Sequence, residues 1–321
     1  MSSNNNNDIM DINIIFIHKG SSWYLPYAIN QAAFANPTAK ISVLGSPKDC
    51  KYHNICPIVD SHSDYSKRFT RVYEHRSSNC YDFECFCWLR WFYLRDHMRG
   101  NSLDHVWYFD SDVLVYESLL RTQLRFIPSK DRCGFIIPDQ DQSSLHWSAS
   151  GHSSFWGIDA LETFCEFIIT SFISEEYKLL YDDKFQHHIN NNQQGGVCDM
   201  TTLYLFWKNY PHLITNLLPV NDNSVFDLGI GSADGYLPQE YLTHAGMKVV
   251  SFDGSTPMLH RIPESTGKVR ACTLHFQGGA KQYIPSFYRG DRFRGKVSLD
   301  LRNAWRMLKL SGSGVFLGKV S

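Results

Sequence analysis

No apolar run in this sequence of 321 residues approaches the ~18–20 residues that a helix needs to cross a bilayer. Nine cysteines are present, but no two are spaced Cys-x-x-Cys, which excludes the commonest zinc and dithiol redox motifs. The closest pair, Cys85 and Cys87, would point apart on a helix. The odd count and the apolar surroundings of Cys133, Cys165 and Cys272 suit reduced, buried thiols. Net charge is only −1, which excludes non-specific nucleic-acid binding as the main task. The first residues, Ser2 to Asp8, are polar and lack the apolar stretch of an export signal. A disordered lead over 1–10 and a cytoplasmic location, at most peripheral to a membrane, are therefore expected.

What is present is a large apolar fraction: 43% hydrophobic and 14% aromatic, enough for a sizeable core. Ile12 to Ile17 reads as a buried strand. A short turn at His18 leads to a helix over about Trp23 to Phe34, with Ser22 as its cap. Asn36-Pro37 stops that helix, and Lys40 to Leu44 reads as a second strand. Strand, helix and strand in this order predict a parallel sheet of the α/β class. The loop bearing His18 then lies over the carboxyl edge of the strands, where nucleotides commonly bind. An aromatic-rich helix is expected from about Tyr81 to Met98, ending at Gly100. Arg90 falls inside it, and a buried arginine needs an anionic partner. Further on, a strand over 135–137, a loop over 143–154 and a helix over about 159–172 are expected. Gln186 to Gly196 reads as a polar, mobile insert in which His187-His188 is filler. A helix over about Asp199 to Trp207 follows, and the Asp199 carboxylate either caps it or projects into a cleft.

Two short segments carry chemistry. A strand-like run, Val106 to Phe109, ends in Asp110-Ser111-Asp112. Carboxylates at i and i+2 can reach one divalent cation where the chain bends, and such a cation can hold a diphosphate. Alone the pair is weak, because roughly one Asp-x-Asp is expected by chance in a chain of this length. A second pair, Asp139/Asp141, sits in polar sequence and reads as an exposed loop. The other segment is His275-Phe276-Gln277-Gly278-Gly279-Ala280-Lys281. Its imidazole can complete a metal's coordination, its glycines admit phosphate oxygens close to the backbone, and its lysine can neutralise a departing phosphate. Read by itself it is equally a strand followed by a glycine-rich turn.

Together, Asp110-Ser111-Asp112 and His275-x-x-Gly278-x-x-Lys281 resemble the GT-A glycosyltransferases, in particular the glycogenin-like retaining enzymes. The resemblance implies a GT-A, Rossmann-like fold: a mixed, mostly parallel central sheet flanked by helices. A single catalytic domain over 11–285 would have a nucleotide-binding half (about 11–138) and an acceptor-side half (139–285). A basic extension would follow over 286–321. It implies Mn2+ (or Mg2+) on Asp110, Asp112 and His275, and a nucleotide-sugar donor, a UDP-sugar, near His18, Arg90, Ser111, Gly278 and Lys281. Lys281 and Asp199 become the catalytic residues, with a glycan, lipid-linked or protein acceptor. The Pro-Trp that often follows the family's lysine is replaced by Gln282-Tyr283.

Two rival readings stay open. Asp227-Leu228-Gly229-Ile230-Gly231, with Asp253 further on, looks like the nucleotide turn of an S-adenosylmethionine methyltransferase. A nucleotidyltransferase could use the same Asp-x-Asp. Charge is also split along the chain: Arg261 to Ser321 carries +9 and the remainder −10. Within that basic section, Leu301, Ala304, Trp305 and Leu308 recur at helical spacing beside Arg302, Arg306 and Lys309. An amphipathic helix there could touch a membrane or pack on the core.

Overall fold

The computed structural model describes residues 12–45, 54–56, 64–126, 129–139, 144–263, 267–292 and 295–312. The expected lead over 1–10 and Asp141 lie outside these residues. The first part of the chain forms β1 (Asn13–His18), α1 (Leu25–Ala35), β2 (Lys40–Gly45), β3 (Asn54–Cys56), α2 (Asp64–Val72), α3 (Tyr81–Gly100), β4 (His105–Phe109) and β5 (Val113–Val115). It continues through α4 (Leu119–Phe126), β6 (Cys133–Ile136), β7 (Ser150–Gly157), α5 (Ile158–Ile173), α6 (Glu175–Asn190), α7 (Asp199–Asn209) and β8 (Ile214–Asn216). The last part holds β9 (Ser224–Phe226), the β10 (Thr243–His244) and β11 (Met247–Lys248) hairpin, β12 (Val250–Asp253), β13 (Thr256–His260) and β14 (Lys268–His275). A 3₁₀ turn (Gly278–Tyr283), α8 (Ile284–Phe287) and α9 (Lys296–Gly312) complete the described chain.

Seven strands form the central sheet in the order β3-β2-β1-β4-β7-β6-β8. Only β7 runs antiparallel to its neighbours, so the expected mixed, mostly parallel α/β sheet is what the chain forms. Side chains alternate across each strand, and both faces are apolar. Ile14 and Phe16 of β1 with Trp107 and Phe109 of β4 enter one core beside α1. Ile15, Ile17, Val106 and Tyr108 enter the other, beside α3, α5 and α7. A second sheet, β12-β13-β14-β5 with β9 also paired to β14, closes the first core.

Several local expectations change. Tyr24, not Ser22, holds the cap position of α1, and Ser22 offers only its carbonyl, which accepts the Leu25 N–H at 3.3 Å. Pro26 in the first turn presets the helical φ instead. The α3 helix matches its expected span but is not buried all round: Trp88, Trp91 and Phe92 are enclosed while Tyr81 and Phe83 are exposed. The loop expected over 143–154 gives way to strand at Ser150, although the strand is serine-rich. Its hydroxyls are satisfied internally: Ser154 donates to the Gly151 carbonyl and accepts from Trp156. Gly151 is required there, because a Cβ would sit 2.3 Å from the Trp91 ring. The insert expected to be mobile is helical through Asn190, and His187 and His188 sit in the last turn of α6.

The glycine-rich segment after β9 does not form the strand–turn–helix of a methyltransferase. No helix forms between Phe226 and the β10 strand. The Asp227 carboxylate is fully enclosed, paired with Lys248 at 2.6 Å, and its other oxygen accepts the His275 N–H at 3.1 Å. It is therefore unable to reach a ribose. Asp253 ends β12 as an exposed hairpin residue. Asp227 is a structural clamp that fixes the end of β14.

Removing one member of such a pair leaves an uncompensated buried charge. Lys248→Met is expected to cost about 3–5 kcal/mol. Urea unfolding at pH 7 would check this, and a midpoint equal to that of the natural chain would contradict it.

Candidate active site

The site begins where β4 stops. The Val113 N–H donates to the Asp110 carbonyl at 3.1 Å, closing a turn that leads into β5. Asp110 is anchored from behind by its own N–H, which donates to the His152 carbonyl on β7 at 2.9 Å. Arg90 donates from Nη1 to Asp110 at 2.8 Å and from Nη2 and Nε to Asp199 Oδ2 at 2.6 and 3.2 Å. Trp91 Nε1 adds a third donor to the same Asp199 oxygen at 2.9 Å. Tyr108 donates its hydroxyl to Asp110 at 2.5 Å. The arginine inside the α3 helix thus has the anionic partners its burial demands, one from β4 and one from α7. Burial pushes the Asp110 carboxyl up, but the Arg90 charge and the Tyr108 hydrogen bond outweigh it and hold the group below the usual carboxylate range.

Asp112 is met by the distant end of the chain. The antiparallel β5–β14 pairing sets His275 opposite Val113, and the Phe276 N–H donates to the Asp112 carbonyl at 3.0 Å. Lys281, in the 3₁₀ turn, lies 2.8 Å from the Asp112 carboxylate and over the Tyr24 ring at 5.6 Å. Burial lowers the affinity of this ammonium for its proton, but the Asp112 carboxylate more than reverses that. His275 donates from Nδ1 to the Leu228 carbonyl at 3.1 Å, and its Nε2 lies 3.7 Å from Asp112 Oδ1. His152 stacks on His275 at 3.9 Å and donates from Nε2 to the Asp227 carbonyl at 3.0 Å. Burial and the neighbouring His275 keep His152 neutral.

His18 and Ser111 are joined at 3.0 Å between His18 Nδ1 and the serine hydroxyl. The His18 Nε2 is buried without a hydrogen-bond partner among the described residues. Gly278 opens the 3₁₀ turn with φ +57, a left-handed value that favours glycine, and the space beside its Cα is open. The structure therefore gathers Arg90, Asp110, Ser111, Asp112, Asp199, His275, Lys281 and His18 in one connected network. Asp139 is not part of it: the residue is exposed at the end of β6, and its N–H donates to the Tyr236 carbonyl.

Sequence reasoning missed Tyr108, Trp91, Tyr24 and His152. Tyr108 had a legible signal, since i and i+2 share one face of a strand and it stands two residues before Asp110. Trp91 was read only as core bulk. His152 carried no signal, because its position depends on the β4–β7 register.

The donor types suit a hard divalent cation: two carboxylates and one imidazole whose other nitrogen is oriented by a backbone carbonyl, as in ligating histidines. Among the described residues, however, no three His, Cys, Asp or Glu side chains are grouped as a metal site. Arg90 and Lys281 supply the positive charge to Asp110 and Asp112 instead.

No protein-family model and no curated protein matches the chain. Among solved structures, mouse xyloside xylosyltransferase 1 is similar at 9% identity, with 65% of this chain and 85% of that one covered and a TM-score of 0.43. The galactosyltransferase LgtC, solved with donor and acceptor sugar analogues, is similar at 16% identity over 58% of this chain and 72% of that one, TM-score 0.34. The bifunctional glycosyltransferase WbbM is 8% identical over 91% of this chain and 51% of that one, TM-score 0.45. None of these superpositions is close enough to transfer an activity.

Arg90→Ala leaves Asp110 and Asp199 facing each other without a counter-charge. At pH 7 the variant is expected to lose about 3–5 kcal/mol of stability. The sign with pH follows from the two states of Asp110. In the natural chain its folded pKa is depressed, so its contribution is present above the unfolded value and lost as pH falls through the folded one. In the variant, burial without Arg90 raises it, so acidification relieves the defect. The stability gap between the two proteins should therefore narrow from pH 7 to about pH 4, where carboxylates protonate. A gap unchanged across thermal melts in that range would contradict this account.

Proposed function

We propose that this chain is a metal-dependent glycosyltransferase of the GT-A type. It moves a sugar from a nucleotide-diphosphate sugar, a UDP-sugar by the resemblance, to a glycan, lipid-linked or protein acceptor, with the anomeric configuration retained. The catalytic domain spans 11–285, with the nucleotide-binding half over about 11–138 and the acceptor side over 139–285. The observation that carries this reading is the convergence of Asp112, His275 and Lys281 at the carboxyl edge of β4, beside the Arg90–Asp110–Asp199 bridge.

A manganese or magnesium ion would be held by Asp110, Asp112 and His275, and when bound it would neutralise the donor's diphosphate. The other roles belong to the chain's own groups. Lys281 exchanges its Asp112 partner for a phosphate oxygen and stabilises the charge that develops as the anomeric C–O bond breaks. Gly278 lets the backbone come close to that phosphate, and His18 offers its unpartnered nitrogen to the donor beside Ser111. The acceptor hydroxyl oxygen forms the new bond to the anomeric carbon, and its proton leaves to the departing diphosphate. Asp199 acts as a positioning residue. Its Oδ2 accepts three hydrogen bonds from Arg90 and Trp91, which leaves that oxygen a poor nucleophile and a good anchor for the guanidinium. The methyltransferase reading loses its acidic residue to Lys248. A nucleotidyltransferase would release pyrophosphate, whereas sugar transfer releases a nucleoside diphosphate.

Incubation with Mn2+ and a panel of nucleotide sugars should release nucleoside diphosphate for at least one donor. Asp112→Asn and Lys281→Ala should each lower that release by about 10²–10³-fold. Pyrophosphate release, or no release from any donor, would sink the reading.

Lys281 also competes with a cation for Asp112. Titration calorimetry with Mn2+ alone should therefore show weak binding to the natural chain, strengthened by UDP. Lys281→Met should bind Mn2+ alone about tenfold more tightly and UDP about tenfold more weakly, the size of one charge-assisted contact. Equal Mn2+ affinity in the two proteins would rule out the competition.

A further inference from the structure

The described part of α9 presents two unlike faces. Its inner face is tied to the body. Leu299 packs against the core, Asp300 accepts from the Tyr27 hydroxyl, and Lys296 pairs with Asp300 at 2.6 Å. Asn303 is buried and donates to the Gln282 carbonyl at 2.9 Å. Its outer face carries Val297, Leu301 and Trp305, spaced four apart and 68%, 59% and 66% exposed. A shallow groove of about 620 Å³ runs along this face, and Lys296 and Arg302 line it together with the apolar row. Three large apolar side chains in one exposed row are more than scattered surface hydrophobics require.

We infer that this face seats on an anionic membrane surface. Charge selects that occupant. Residues 286–321 contain eight Lys/Arg and two Asp/Glu, a net +6 on a chain whose total is −1. A second copy of the chain applied to the same face would set Lys296 and Arg302 against their own counterparts, with no carboxylate among the described groove's lining residues. Anionic headgroups complement this charge, and a narrow apolar row that includes a tryptophan suits the headgroup–acyl boundary, where an amphipathic helix buries one side. No helix among the described residues is long and apolar enough to cross a membrane, so the contact is peripheral. The seat is joined to the candidate site by a short path, because Gln282 directly follows Lys281 in the 3₁₀ turn. If the transferase reading holds, the inference deepens it: the site works next to the bilayer, where a lipid-linked acceptor is presented. The membrane contact itself does not depend on that reading.

The test is co-sedimentation of the full chain with phosphatidylglycerol vesicles and with phosphatidylcholine vesicles. The natural chain should sediment with the anionic vesicles, release as salt is raised, and stay in solution with the neutral ones. Leu301→Ser/Trp305→Ser should lower the bound fraction by roughly tenfold or more, since most of the inserted apolar surface is removed. Arg302→Glu, which leaves the apolar row intact, should weaken binding and its salt dependence; it keeps the test open if the double variant misfolds. Equal sedimentation of natural chain and variants would overturn the inference, as would failure of the natural chain to bind the anionic vesicles. So would a dimer, seen by sedimentation equilibrium without lipid, that Leu301→Ser/Trp305→Ser dissociates. Nucleoside diphosphate release measured without vesicles reads the transferase proposal separately, so one can fail while the other stands.

Discussion

Opposite charges brought together at the carboxyl edge of β4 hold this candidate site in place. Arg90 stands between Asp110 and Asp199, and Lys281 stands against Asp112. In a low-dielectric setting each carboxylate would be costly alone, and each cation would be too. The four elements that bring them, α3, β4, α7 and the 3₁₀ turn after β14, are thereby tied to one another by charge as well as by packing. Structure and chemistry share the same groups. The resting site is internally compensated by Arg90 and Lys281, and under the proposed function these are the cations that would turn to an incoming phosphate.

The clamp at Asp227 works one layer further back. One carboxylate fixes Lys248 through one oxygen and the His275 backbone through the other. The Leu228 carbonyl next in sequence orients the His275 ring, and the Asp227 carbonyl orients His152, which stacks on it. Two consecutive residues of a loop therefore set the imidazole's position, tautomer and neighbour. At Gly229, in the same loop, a Cβ would fall 2.8 Å from the end of the Gln277 side chain, two residues after His275.

The sequence made legible whatever depends on local pattern. The strands at Ile14 and Trp107, the aromatic α3 helix, α5 and the start of α7 at Asp199 all follow from apolar periodicity and end signals. The Asp110/Asp112 pair and the His275–Lys281 spacing pick out residues that the fold brings together, and Arg90 is legible because a buried guanidinium needs an anion. What failed depends on distant partners. The β7 strand is rich in serine, and its burial makes sense only once β4 and β6 enclose it and its hydroxyls bond internally. The end of α6 reads as a loop because Gln186 to Asn190 is polar; Tyr181 and Lys184 of the same helix bury against residues far away, Lys184 through the His146 and Trp147 carbonyls and the Thr201 hydroxyl. Asp227 resembled a nucleotide turn in one dimension and proved to be a clamp in three.

The β5–β14 pairing has a consequence for how the protein comes to exist. β5 is only three residues long and lies far upstream of the strand that pairs with it. A growing chain thus makes its two aspartates long before it makes the histidine and lysine that attend them. Until β14 emerges, β5 lacks that neighbour and Asp112 lacks its ammonium. Contacts of such wide sequence separation form slowly, and an unpaired strand edge is the kind of surface that aggregates or recruits a chaperone. Completion of the charge network around Asp112 is therefore tied to completion of the fold, and a ribosome that stops short of β14 leaves a product without either.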